Sequence, residues 1–183
     1  FLSVDNNQVS DLSPLAGLVL LQELSAAYNR VADLSPLAGL ARLQVLGLAD
    51  NQVSDMSPVA VLTGLRRLDL SNNSVSDLSP LGSLTWLREL NLSGNQISEV
   101  PDLLGRLRAS LMLLALSDNQ ISDVSVVGVL YQLTVLRLGR NRVADLTPLA
   151  HLGLSELDLS RNQVSDLTPL AKMYTLGSTF VPP

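Results

Sequence analysis

The residue types that carry out chemistry are few in this chain, and their spacing argues against catalysis. The sequence has one histidine, His151, and no cysteine, so a histidine-activated thiol and a zinc–thiolate site are both excluded. No group of His, Asp and Glu has the spacing of metal ligands, and the glycines are isolated, which argues against a phosphate-binding loop. An active site needs converging groups. We therefore predict that the chain is not an enzyme and holds neither a cofactor nor a metal.

Eight acidic residues recur instead at one fixed position of a repeating pattern. With one acid in each repeat, their side chains are spread along a line and do not converge on one substrate. Their regularity indicates hydrogen bonds within the turn in which each one lies. The eight residues are Asp11, Asp33, Asp55, Asp77, Glu99, Asp123, Asp145 and Asp166.

The pattern that positions these residues is a unit of about 22 residues. The string NRVADLSPLAGL at residues 29–40 repeats NQVSDLSPLAGL at residues 7–18. Each copy carries one marker asparagine, and the successive spacings of the markers are 22, 22, 22, 22, 24, 22 and 21 residues. Self-similarity at this period is typical of a solenoid of stacked units. The markers are Asn7, Asn29, Asn51, Asn73, Asn95, Asn119, Asn141 and Asn162.

Each position of the unit has a physical role. In the copy at residues 40–58, Leu46 and Leu48 alternate with Gly47, which is the period of a strand with one buried face. Because no single unit can bury its apolar edge, successive units must stack, and their strands must pair in parallel. The marker asparagine lies where the chain leaves the strand, and its amide can serve the unpaired N–H and C=O groups of a buried turn. We therefore expect the markers to form a ladder.

A Ser-Pro or Thr-Pro pair follows the fixed acid in six units. Ser or Thr as an N-cap with Pro at the first helical position is a strong signal for the start of a helix, here of one or two turns on the outer side. Two extra residues in the fifth unit predict a longer outer helix near residues 103–110, and the seventh unit has lost one residue near Gly153. We expect Trp86, also on the outer side, to be packed; the polar or small residues at its position in the other units leave partial exposure as the alternative.

The pattern LxxLxLxxN, followed by N-x-[VI]-[SA]-D-[LMV]-[ST]-P-L in a 22-residue period, resembles the leucine-rich repeats of the bacterial internalins and their relatives. The resemblance covers nearly all of residues 1–177. It implies an α/β solenoid, a right-handed leucine-rich-repeat superhelix with a parallel β-sheet on the concave face and short helical or 3-10 turns on the convex face. It also implies binding of protein ligands.

We interpret residues 1–183 as a single leucine-rich-repeat domain of about eight repeats. Residue 1 already lies within a repeat, and residues 178–183 resemble the beginning of a ninth. We therefore expect the chain to be part of a longer one, in which caps or further repeats cover its apolar ends.

Composition narrows the class of partner. The longest apolar run, residues 15–21, is too short to span a membrane, so we predict no membrane insertion. The net charge is −5, but setting the eight fixed acids aside leaves nine acidic residues against 12 basic ones. This mildly basic surface is too scattered for nucleic acid and favours an acidic protein ligand. The sequence does not indicate the oligomeric state.

Residues between and just after the strand leucines are expected to face the concave side. Most of them are small and polar, whereas binding energy at interfaces is concentrated in Trp, Tyr and Arg. We therefore predict partner binding at Tyr28 near one end and at an arginine patch near the other, with Asp158 neutralising part of that patch. The patch consists of Arg137, Arg140, Arg142 and Arg161.

The sequence thus favours a non-catalytic module for protein–protein interaction, which binds its partner on the concave face and derives from a bacterial surface or secreted protein. One alternative is a cytoplasmic scaffold or regulatory segment, similar to a phosphatase regulator or fused to a GTPase or kinase. Another is a structural spacer whose concave face binds nothing. Extracellular or cell-surface localisation in a bacterium is the expectation, with the cytoplasm as the alternative.

Overall fold

The computed structural model describes residues 1–173, apart from the side chain of Lys172, and these residues form a solenoid of stacked units. Eight short strands pair in parallel in one open sheet whose order follows the chain, which confirms the predicted architecture. The strands are β1 (Leu2–Ser3), β2 (Glu23–Ser25), β3 (Val45–Gly47), β4 (Arg67–Asp69), β5 (Glu89–Asn91), β6 (Leu113–Ala115), β7 (Val135–Arg137) and β8 (Glu156–Asp158).

The framework leucines form the core. Leu46 lies opposite Leu24 and Leu68 in the neighbouring strands, and both Leu46 and Leu48 are fully buried. Each such side chain contributes about 1.5–3 kcal/mol of transfer free energy before the entropy of ordering is subtracted. In the last described unit Leu157 is only partly buried, because no described rung covers it. A slip of one residue would turn every leucine to solvent, so burial sets the register.

Short 3-10 turns form the side opposite the sheet. In the fifth repeat the turn is six residues long, the longest of those described, which confirms the predicted lengthening. The turns are Ser13–Leu15, Ser35–Leu37, Ser57–Val61, Ser79–Ser83, Asp102–Leu107, Ser125–Val129, Thr147–Leu149 and Thr168–Lys172.

The turns begin differently from the prediction. Ser13 is the first residue of its turn and not the N-cap, and Pro14 follows it. Asp11, two residues earlier, supplies the stabilising acceptor: its Oδ1 accepts the Ser13 N–H at 2.8 Å and its Oδ2 accepts the Ser13 hydroxyl at 2.8 Å. The predicted role of Ser and Thr as N-caps is therefore wrong, because their hydroxyls are used as donors to the fixed aspartate. The predicted local hydrogen bonding is confirmed for the seven fixed aspartates. It is not confirmed for Glu99, because the residue two positions later is Pro101, which has no N–H to donate.

The marker asparagines lie between adjacent units and connect them. Asn51 accepts the Val31 N–H on Oδ1 at 2.8 Å, and its Nδ2 lies 2.9 Å from the carbonyl oxygen of Ala26 in the preceding unit. The same Nδ2 lies 3.1 Å from the carbonyl oxygens of Leu48 and Ala49 in its own unit. The amide thus satisfies backbone groups that the turn leaves without partners. The same arrangement recurs at Asn29, Asn73, Asn95, Asn119, Asn141 and Asn162, whereas Asn7 bonds only within its own unit.

The first unit exposes apolar surface at its open side. Phe1 is 82% exposed and Leu20 is 67% exposed. Leu18 is 45% exposed, whereas Leu40, at the same position of the next unit, is fully buried. The difference arises because Leu40 has a described rung on either side. The predicted beginning of a ninth unit, residues 178–183, lies outside the described residues.

Candidate functional site

Two rows of strand residues face outward from the sheet, one on each side of the buried central leucine. One row was anticipated from the sequence and runs Ser25, Gly47, Asp69, Asn91, Ala115, Arg137 and Asp158, and the structure adds Ser3 to it. The sequence analysis missed the other row, which runs Glu23, Val45, Arg67, Glu89, Leu113, Val135 and Glu156. Side chains alternate between the two faces of a strand with a period of two, so both neighbours of each buried central leucine lie on the outward face. The sequence therefore already contained the pattern that predicts the second row.

The missed row makes the middle of the sheet face less polar than the sequence analysis assumed. Val45, Leu113 and Val135 are only partly buried there. Val45, Leu113 and Ala115 line a shallow depression of about 270 Å³ on the sheet. A central apolar area with a charged rim is the usual anatomy of a protein interface.

Ion pairs between neighbouring strands cross this face. Arg67 Nε lies 2.8 Å from Glu89 Oε2, and Arg137 Nε lies 2.6 Å from Glu156 Oε1. The hydrogen bond from Arg137 lowers the pKa of Glu156 below its ordinary value. Glu156, and not Asp158, is therefore the direct partner of Arg137, although Asp158 adds to the surrounding negative field. The side chain of Asp158 instead accepts a backbone N–H two residues further on, in its own rung.

The predicted arginines lie on the last two described rungs and differ in their partners. Arg140 Nη1 lies 3.1 Å from Asp118 Oδ1. Arg142 donates to the amide oxygen of Gln120 at 3.3 Å. Arg161 makes no ion pair with any residue in the described part of the chain. We call Arg137, Arg140, Arg142 and Arg161 the arginine cluster. Tyr28 does not join it: its rung is five strands from β7, or about 24 Å at ordinary strand spacing.

The residue before each marker has a backbone conformation that could not be anticipated from any one unit. At this position φ is positive in each of the eight described rungs and lies between 54° and 69°. Asn and Asp adopt this left-handed region several times more often than other residues, and Gly adopts it without strain. Five rungs carry such a residue: Asn6, Asp50, Asn72, Gly94 and Asp118.

Three rungs carry a bulky residue at this left-handed position, namely Tyr28, Arg140 and Arg161. Each of the three was also selected from the sequence as a partner-binding candidate on residue type alone. Backbone conformations that a residue disfavours cluster at functional sites. Residue type and backbone conformation therefore point independently to the same positions.

The expectation that Trp86 is packed is wrong, because its side chain is 65% exposed. Trp86 lies immediately before the first framework leucine of its unit, at the edge where the chain turns into β5. Side chains at this position point away from the core, since the leucine that follows takes the inward direction. Leu87 is fully buried.

Residues 1–173 offer no candidate for a metal site or for a membrane span. No group of three or more His, Cys, Asp or Glu residues is arranged to hold a metal ion in this part of the chain. No helix among the same residues has the length and apolarity needed to cross a membrane. His151 lies on the outer side, where its Nε2 is 2.8 Å from the carbonyl oxygen of Gly128.

Comparison with known proteins places this architecture in a family. The sequence profile of the family "Leucine Rich repeats (2 copies)" matches residues 19–61 and 63–105. Internalin C2 (inlC2) from Listeria monocytogenes, known from a crystal structure, is 34% identical in sequence to this chain, with a TM-score of 0.90. The match covers 93% of this chain and 75% of internalin C2. The chain belongs to the leucine-rich repeat family. Its repeats resemble those of the internalins.

Two further structures extend the comparison. The internalin inlF from the same species is 39% identical to this leucine-rich repeat chain, with a TM-score of 0.91. That match covers 94% of this chain and 51% of inlF, so the chain spans about half the length of that relative. The ectodomain of the Arabidopsis thaliana receptor kinase GASSHO1/SCHENGEN3, solved in complex with CASPARIAN STRIP INTEGRITY FACTOR 2, is 26% identical with a TM-score of 0.79. That match covers 91% of this chain and 22% of the receptor ectodomain chain.

A search of curated protein sequences finds no match. The family relationship nevertheless narrows the function, because leucine-rich repeats are generally modules for protein–protein interaction and are typically non-catalytic.

Proposed function

We propose that this leucine-rich repeat chain binds a protein partner through the concave face of its sheet, with the arginine cluster holding an acidic segment of that partner. The observation that carries the proposal is the placement of Tyr28, Arg140 and Arg161 at left-handed positions where the other rungs have Asn, Asp or Gly. The fold is equally satisfied by the favoured residues, so a function outside folding best accounts for the bulky ones.

The charges around the cluster support an acidic partner. Arg137 and Arg140 are paired with Glu156 and Asp118, but both pairs are about half exposed and hold their arginines weakly. Arg142 has only an amide partner and Arg161 no ion pair with a described residue. A carboxylate-rich segment would meet two uncompensated guanidinium groups, each able to form a bidentate contact.

The apolar residues of the missed row support a binding face that extends beyond the cluster. Val135 and Leu113 lie in β7 and β6, directly beside the arginines, and both are partly accessible. Burying such side chains under a partner contributes favourable free energy, while the arginines at the rim set the orientation and rate of association. Tyr28 would then form a second contact near the other end of the sheet.

We further propose a bacterial source, which the identity to the two Listeria internalins supports. The plant receptor ectodomain, solved in complex with a named partner, supports protein binding as the general use of the fold.

A selection from a phage-displayed library of random peptides tests the proposal. Immobilised chain is expected to enrich peptides rich in Asp and Glu, with binding that weakens as salt is raised. Binding of the enriched peptides should weaken about tenfold or more when Arg140→Glu and Arg161→Glu are combined. The matched control combines Arg106→Glu and Arg108→Glu, two exposed arginines at the outer turn of the fifth repeat. Peptides that bind both double variants and the wild type equally well would contradict the proposal.

A further inference from the structure

A second candidate surface lies at the edge of the solenoid, away from the sheet face. It is a groove of about 420 Å³ beside the points where the chain enters β3 and β4. Arg42, Gly64 and Trp86 line it from three successive rungs, one residue per rung at the same repeat position. Arg66, immediately before β4, also lines it. We call this surface the edge groove.

The groove exists because Gly64 has no side chain. Neighbouring rungs place Arg42 and Trp86 at the same position, so a side chain at residue 64 would fill the space between them. The fold does not require this glycine, because its φ is not in the left-handed region. A Cβ atom there would meet only the carbonyl oxygens of Leu43 at 3.5 Å and Ala41 at 3.6 Å, which is ordinary contact. The glycine therefore opens the groove without serving the backbone.

The charge of the groove is unbalanced. Arg42 and Arg66 both line it, and no carboxylate does so among the described residues. Neither arginine forms an ion pair within residues 1–173. The next arginine along the chain, Arg67, points to the sheet face and pairs with Glu89. A chain of net charge −5 thus carries a local positive site beside an exposed indole.

We infer that the edge groove binds an acidic peptide segment, with an apolar side chain of the segment against Trp86 and its carboxylates on Arg42 and Arg66. Trp and Arg are the residues most enriched where binding energy is concentrated, and arginine matches the fork geometry of a carboxylate. The amides of Gln22 and Gln44, which also line the groove, can pair with the backbone of an extended segment. This surface is separate from the arginine cluster, which begins on the rung of β7, two rungs beyond Trp86, and lies mainly at and beyond the carboxyl ends of the strands.

Trp86 is the only tryptophan in the chain, so its fluorescence reports on the groove alone. The first test uses iodide and caesium ions as quenchers. Arg42 and Arg66 should concentrate iodide near the indole, and the ratio of iodide to caesium quenching should fall about twofold when Arg42→Gln and Arg66→Gln are combined. A control combining Arg106→Gln and Arg108→Gln should leave the ratio unchanged. Equal ratios in the wild type and the Arg42→Gln/Arg66→Gln variant would overturn the electrostatic basis of the inference.

The second test identifies the segment. Random peptides without tryptophan, displayed on phage, are selected on the Arg140→Glu/Arg161→Glu variant so that the sheet face contributes little. The expected pool is acidic, shifts the Trp86 emission to shorter wavelength on binding, and binds Gly64→Gln at least about tenfold more weakly, because the new side chain fills the groove.

The matched control for this test is Gly39→Gln, an exposed outer-turn glycine whose Cβ would meet no atom closer than 4.0 Å. It should bind the selected peptides like its parent, and the urea midpoints of both glycine variants establish that they fold. A pool of basic or uncharged peptides, or equal binding by Gly64→Gln and Gly39→Gln, would overturn the inference. Enrichment of single-stranded oligonucleotides in place of peptides in a parallel selection would do the same.

Discussion

Replacing Arg161 by Asn is expected to stabilise the chain while weakening binding at the sheet face. Arg161 has a φ of 56°, in the left-handed region where Asn is several-fold enriched over other non-glycine residues. A several-fold preference corresponds to about 0.6–1 kcal/mol. Because Arg161 makes no ion pair with a described residue, the substitution removes no stabilising contact of that kind.

Arg140→Asn provides an internal comparison at an equivalent position. Arg140 has a φ of 55°, so the conformational gain is the same, but its pair with Asp118 is lost. Both partners of that pair are about half exposed, and pairs of this kind contribute about 0.2–1 kcal/mol. The two effects partly offset each other, so we expect the free energy of unfolding to change by between about −0.4 and +0.8 kcal/mol, less than for Arg161→Asn if the pair contributes near the middle of its range.

Urea denaturation measures these differences. With a slope of about 2 kcal/mol per molar, Arg161→Asn should raise the urea midpoint by about 0.3–0.5 M without changing the slope. Arg142→Asn is the control, because Arg142 is exposed but follows the marker and has no positive φ. If Arg161→Asn lowers the midpoint, or shifts it no more than Arg142→Asn does, the left-handed positions carry no strain. The structural support for the arginine cluster would then be lost.

Two further predictions concern the framework. Asn141→Ala should lower the free energy of unfolding by about 2–5 kcal/mol, because it removes the hydrogen-bond partner of several buried backbone groups. Asn7→Ala, at an exposed marker bonded only within its own unit, should lower it by less than about 1 kcal/mol. Urea denaturation of both variants measures the difference. Asp77 accepts the backbone N–H and hydroxyl of Ser79, which hold its pKa below the ordinary 3.8, so its stabilising contribution is complete above that pH and is lost as the pH falls through the lowered value. The free energy of unfolding should therefore decrease as the pH drops below about 4, and it should decrease less steeply in Asp77→Asn than in the wild type. An equally steep decrease in the two proteins would contradict this account.

Most of the fold could be predicted because the same physical constraint is repeated eight times along the chain. A single Leu-x-Leu segment is ambiguous, but the same alternation at Leu46, Leu68, Leu90, Leu114 and Leu136 leaves one arrangement in which all of them are buried. Local details were harder. The hydroxyl of Ser13 can accept from the backbone or donate to Asp11, and its type and position do not decide between the two.

The binding face was predicted less completely, for two separate reasons. The row containing Val45 and Leu113 was missed because only the positions between and just after the strand leucines were assigned to the outward face, although the residue before each central leucine lies on that face as well. Asp158, the neighbour of Arg137 in register, was predicted to neutralise part of the patch, and it does contribute to the field at Arg137, but the direct partner Glu156 was not anticipated. A long arginine side chain instead reaches Glu156, two residues away on the same face.

Trp86 shows where reasoning from residue type fails in a repeat protein. A tryptophan is usually packed, but in a solenoid the repeat position determines exposure more strongly than the residue type does. The residue before the first framework leucine is directed outward in each unit, so any residue placed there remains on the edge. The polar or small residues at the same repeat position, Arg42, Gly64 and Gln132, indicated its exposure, but the usual packing of tryptophan was given more weight.

The same comparison separates the residues that the fold requires from those available for function. The framework leucines, the markers and the fixed aspartates recur in nearly every unit because each satisfies an interior or backbone requirement. Arg161 and Gly64 depart from this rule in opposite ways: one is a bulky residue where the backbone favours a small polar one, and the other is a glycine where the backbone accepts any residue. Neither choice is explained by stability. Because the two residues lie on different surfaces of different rungs, substitutions at one should leave binding at the other unchanged. A single partner that contacts both residues must extend around the edge of the solenoid.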